Sequence, residues 1–192
     1  MTTLNASSQF QVKGVWFTTA RRYVLERHGD DTLARVAEEM PEAMRAALTA
    51  PLASLWYSEE ALQQGMQAIH RVVADGDSDR FVAIMQACTE LGVSHFFRAL
   101  IRLGTPAMVL RKVPAMWSLI RRGPAARIAV DADAVRAVVS YADFPYFDDP
   151  NYRSLTVGSL RAVTWICARR VPRVEIVSHA RDALSVIVSY GS

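Results

Sequence analysis

At 192 residues, 51% hydrophobic and 21% charged, the chain is long enough for a substantial core and lies outside the compositional range of disordered proteins. Its net charge of +3 is unevenly spread: the 40 residues between Glu90 and Asp131 hold no acid and seven bases, leaving 15 bases against 19 acids elsewhere. No apolar stretch approaches the ~20 residues that span a bilayer, and Met1 to Gln9 lacks the basic start and apolar core of a secretion signal. With Cys88 and Cys167 read as reduced thiols, this predicts a cytoplasmic protein with no membrane insertion.

Residues 1–11 are expected to form a disordered tail and 12–192 one domain, helical over 12–123 and mixed over 124–192. From Val12 onward, the spacing of Val15, Trp16, Thr19, Tyr23 and Val24 predicts a helix ending at His28-Gly29. Asp30 or Asp31 caps the next helix, which turns Leu33, Val36, Ala37 and Met40 inward and stops at Pro41. A looser apolar piece, Ala46 to Leu55, leads to Trp56-Tyr57. Ser58 caps a helix to Ala74, with Glu59 and Glu60 set favourably against its dipole. After the turn Asp75-Gly76-Asp77, a helix capped by Asp77 or Ser78 runs through Phe81, Ile84, Met85, Cys88 and Leu91. Its continuation places Val93, Phe96, Phe97 and Leu100 on one face. Thr105-Pro106 opens a further helix with Val109, Val113, Met116, Trp117 and Ile120 on one stripe, which Pro114 should kink or divide.

Beyond Gly123-Pro124 the period becomes extended. Arg127 to Val130 and Ala134 to Tyr141 read as strands, Pro150 starts a helix to Arg170, and Val171 to Ser178 with Ala183 to Tyr190 forms a terminal hairpin. Strands gathered at one end predict an α+β fold, a helical region followed by a small antiparallel sheet with an inserted helix, β-β-α-β-β.

Several local motifs carry a resemblance. They are Val12-Lys13-Gly14-Val15-Trp16-Phe17, Glu26-Arg27-His28-Gly29, Trp56-Tyr57-Ser58, Arg102-Leu103-Gly104-Thr105-Pro106 and Arg111-Lys112-Val113-Pro114-Ala115-Met116-Trp117. Together they resemble a paralogous bacterial family of similar length and unknown function, expanded in gliding soil bacteria. That family in turn is similar to the heme-nitric-oxide-binding and 4-vinyl-reductase superfamily of ligand-sensing domains. The resemblance implies a sensory or regulatory module and no enzyme. Heme binders of that kind place a proximal histidine where the last helix meets the sheet; here Trp117 to Gly123 contains none. Their Tyr-x-Ser-x-Arg propionate clamp is not reproduced by Tyr152-Arg153-Ser154, and the terminal hairpin, Ser178 to Ala183, has no cysteine. The expectation is therefore a module with no heme, no other cofactor and no metal.

Two basic faces are candidate ligand or anion sites. His95, Arg98 and Arg102 fall at i, i+3 and i+7 of one helix face and could hold a phosphate or carboxylate, or simply face solvent. On the next helix Ser118 and Arg122 lie within about 20° of Arg111, away from the Val109-to-Ile120 stripe, whose Trp117 is the remaining candidate ligand residue; this face too could simply be solvated. The loop aromatics Phe144, Tyr146, Phe147 and Tyr152 could fold back as a plug or anchor an interface, and they are assigned here as interface residues. His70 reads as an inward structural histidine. Ser178, His179 and Asp182 are too close in one hairpin to make a catalytic triad, and no catalytic residue is assigned. The expected partners are a protein or a small hydrophobic ligand, with a homodimer as the alternative and nucleic acid as the weakest reading.

Overall fold

Gly14 decides how the chain begins. It sits so close to the Leu52 carbonyl that a Cβ would collide with it, and its N–H donates to the Leu55 carbonyl at 2.8 Å. The preceding residues, Gln11–Lys13, are therefore strand β1, and helix α1 starts only at Val15. This corrects the helical start expected at Val12. The computed structural model describes residues 9–93, 101, 103–124, 126–168 and 170–191.

Helix α1 covers Val15–Glu38, with Gly29 at φ 82° and ψ 176° interrupting the helical backbone where the sequence predicts a break. α2 is Glu42–Thr49, earlier than the expected Ala46-to-Leu55 piece. Strand β2, Trp56–Ser58, leads directly into α3, Glu59–Val72, and the Ser58 hydroxyl accepts from the Ala61 N–H at 3.1 Å as a helix cap. A third short strand, β3, is Arg121–Arg122. The three pair antiparallel in the order β2-β1-β3, with Val12 opposite both Tyr57 and Arg121, and Gln11 opposite both Ser58 and Arg122. This sheet goes unannounced in the sequence, because strands of two or three residues are too short to show a period.

Asp77 caps α4, Ser78–Gly92, accepting from the Arg80 N–H at 2.9 Å. Thr105 caps α5, Pro106–Leu110, and after a turn at Arg111-Lys112 the chain re-enters helix as α6, Val113–Ile120. Pro114 thus divides this region, as its missing N–H requires. The chain leaves helix at Ile120, so Arg111 and Arg122 do not share a helix face; that expectation is corrected.

The second sheet contains β4 (Arg127–Ala132), β5 (Arg136–Ala142), β6 (Arg173–Ala180) and β7 (Ala183–Ser189), with α7 (Pro150–Ala168) inserted. All neighbours are antiparallel in the order β4-β5-β7-β6, the α+β arrangement expected from the strand clustering. Central strands alternate cleanly: Ala137, Val139 and Tyr141 on β5 and Leu184, Val186 and Val188 on β7 are buried. Edge strand β6 buries only Val174 and carries an irregularity between Ile176 and Ser178.

The chain divides into two compact units, residues 1–81 with 118–124, and residues 82–117 with 125–192. The first has its core around Phe17, Val24, Val36, Met40, Leu48, Leu62, Met66 and Ile69. In the second, α7 packs on α4 through Gly158, where an added Cβ would lie 2.8 Å from both the Gln86 nitrogen and the Val82 carbonyl oxygen.

Candidate ligand and partner sites

Strand alternation gives the two arginines of β3 opposite fates. Arg121 points inward with Val12 and Tyr57. Its Nε donates to Glu59 Oε1 at 2.6 Å, with both side chains buried, and its guanidinium lies 5.8 Å from the Trp16 ring centroid. An ion pair of this kind holds β3 against the start of α3.

Arg122 points outward, where Lys13 and Trp56 lie on the same face of the sheet. Its Nε donates to Gln11 Oε1 at 2.6 Å, and its guanidinium carbon sits 4.5 Å from the Trp56 ring centroid. The Lys13 ammonium lies 4.4 Å from the same centroid. Two cations thus share one indole, each within cation–π range.

The loop aromatics are interior. Phe144, Tyr146, Phe147 and Tyr152 are 1%, 7%, 0% and 1% exposed, which makes the loop a plug in the core of its unit rather than an exposed docking surface. Phe144 sits at the centre: ring centroids of Trp117, Tyr146, Phe147 and Tyr152 lie 5.0, 5.2, 5.2 and 5.7 Å away. Trp117, a candidate ligand residue, also packs on Tyr141 at 5.6 Å, and so belongs to this knot. Arg111 turns to the sheet, donating from Nη2 to the Ala132 carbonyl. His95, Arg98 and Arg102 lie outside the described residues. Ser178, His179 and Asp182 are an exposed strand end and turn. Among the described residues no three His, Cys, Asp or Glu side chains gather as a metal site.

His70 stands in the last turn of α3. Its Nε2 is buried with no hydrogen-bond partner, and its ring packs on Phe81 at a centroid distance of 4.9 Å. A buried, unpaired imidazole nitrogen is costly unless something occupies it.

No protein-family model matches this chain, and no curated protein does either. Solved structures do. The Fe(II) unliganded H-NOX protein from K. algicida superposes with a TM-score of 0.67 at 11% identity, covering 94% of this chain and 97% of that one. An H-NOX protein from S. oneidensis in the Fe(II)NO state gives 0.62 at 12%, covering 94% and 99%. A single-residue mutant of T. tengcongensis H-NOX gives 0.68 at 10%, covering 94% and 98%. The chain has the H-NOX fold.

This overturns the expectation of a module with no heme. The structural neighbours are heme proteins of the H-NOX family, one of them solved to probe heme distortion. The expectation had located the iron ligand by its place in the sequence. At 10–13% identity that register is not fixed, so a missing histidine between Trp117 and Gly123 excludes nothing. Among this chain's own residues His70 is of a suitable donor type, with a ring nitrogen that is buried and has no hydrogen-bond partner. Of the other histidines, His28 and His179 are exposed, and His95 lies outside the described residues.

Proposed function

We propose that this chain is a non-catalytic sensory or regulatory module that binds a small apolar or amphipathic ligand and reports its state to a protein partner. The observation supporting this reading is the overlay of 94% of the chain on H-NOX domains solved in unliganded, nitric-oxide and oxygen-bound states. Heme is the first ligand to test; bound, it would supply an iron at which a diatomic gas attaches. His70 is the residue we assign as its donor. The free thiols of Cys88 and Cys167 support a cytoplasmic setting.

The test is hemin reconstitution of the purified chain, followed by absorbance and native mass spectrometry. The expected result is a Soret band with one heme mass added per chain, both weakened in His70→Ala. A chain that takes up no heme and carries no other small molecule would end the ligand-sensing reading.

A second reading, a homodimeric interaction protein, rests on β6. It is an edge strand with Ile176 and Val177 exposed to 39% and 58%, the kind of edge that pairs with another. A monomeric mass at high micromolar concentration would remove it.

A further inference from the structure

We propose that the outward face of the β2-β1-β3 sheet, built on Lys13, Trp56 and Arg122, docks an acidic segment of a partner protein. The partner chemistry at this surface is set by charge. Both cations lie within 4.5 Å of one ring centroid, so no more than about 9 Å separates them. Two like charges held that close without a counter-charge repel one another, and an anion that bridges them relieves the repulsion.

The described residues supply no such anion. Every Asp and Glu side chain lies among the described residues, since residues 1–8, 94–100, 102, 125, 169 and 192 contain none. The ion pairs of those acids go elsewhere, and neither Lys13 nor Arg122 is in one. The adjacent Arg121 shows the contrast, because Glu59 neutralises it within the same unit. Arg122 spends its Nε on Gln11, which steers the guanidinium over Trp56 and leaves both Nη groups free to donate to a carboxylate.

The shape of the site selects among anions. A sheet face is open, so it suits an extended chain presenting successive carboxylates better than an enclosed small molecule. Nucleic acid fits less well: phosphate-backbone binding draws on many cations, and an indole already overlain by Lys13 and Arg122 is not a free platform for a base. Trp and Arg are also the residue types that dominate protein interfaces energetically.

The experiment follows the Trp56 indole N–H by NMR in the full chain, with hexaglutamate, oligothymidylate of equal charge and inorganic phosphate as probes. Hexaglutamate is expected to shift Trp56 together with the amides of Gln11, Lys13 and Arg122. The double variant Lys13→Gln/Arg122→Gln should weaken that binding by about tenfold or more. Lys112→Gln, an exposed cation of the other unit, should change it less than about twofold. Both variants should melt with the parent, and Arg122→Lys should retain most of the binding. The proposal falls if Trp56 does not move at millimolar peptide, or if Lys112→Gln weakens binding as much as the double variant. It also falls if oligothymidylate or phosphate binds more tightly than the peptide.

Discussion

Arg121 and Glu59 meet at 2.6 Å with their side chains 7% and 0% exposed, joining a strand and a helix start 62 positions apart in sequence. Removing one partner strands the other as a buried charge. Glu59→Gln or Arg121→Gln should therefore cost about 3–5 kcal/mol in urea unfolding. The double replacement Glu59→Leu/Arg121→Met should recover most of that loss. A double variant no more stable than either single one would mean that the pair does not act as a unit.

At Gly158 α7 approaches α4 closely. A methyl group there would press on the Val82 carbonyl, the Gln86 nitrogen and the Met85 Cβ, at 2.8, 2.8 and 2.9 Å. Two of those three atoms are backbone and cannot rotate away. Gly158→Ala should lower stability by about 1–3 kcal/mol, despite alanine's better helix propensity. Thermal melting would read this directly, and an unchanged or raised midpoint would show that the helices can separate freely.

Phe144 touches four other aromatic rings and is 1% exposed. Phe144→Ala should cost about 3–5 kcal/mol by leaving a cavity at the centre of the knot. An interface anchor would behave differently: the substitution would spare unfolding and alter association instead. Denaturation and sedimentation measured side by side separate the two roles.

Burial pushes the Cys88 thiol up from its ordinary value near 9.0 to about 12. Well below about pH 9 the thiol is protonated in both the folded and unfolded chain and contributes no pH dependence. As pH rises from about 9 to about 12, the unfolded chain ionises first, so stability falls across that window. Cys88→Ala should flatten the alkaline decline relative to the parent, measured as the difference between urea midpoints at about pH 8 and about pH 10.5. Parallel slopes in the two proteins would remove Cys88 as a cause.

The β4-to-β7 sheet was legible because each strand is long enough to alternate, and Asp77, Ser58 and Thr105 announced their helices by capping chemistry. The β2-β1-β3 sheet was hidden. Arg121-Arg122 directly follows the apolar helical stripe that ends at Ile120, and only pairing with Gln11 and Val12, over 100 residues away, makes it a strand. Lys13 was invisible as a site residue for the same reason, since its neighbours Trp56 and Arg122 come from distant strands. For Phe144, Tyr146, Phe147 and Tyr152, composition allowed either plug or interface, and only the fold of the loop decided between them. His70 read correctly as inward, but no periodicity reveals whether a ring nitrogen finds a partner.

The short strand β3 also governs how this chain can be made. The polypeptide leaves the first unit after residue 81, returns for residues 118–124, and departs again. During synthesis the first unit therefore stays unfinished until the ribosome has passed residue 124, and until then Glu59 has no Arg121 to neutralise it. A fragment cut after residue 81 would lack the returning residues 118–124, Arg121 among them, so the first unit is not available by simple truncation.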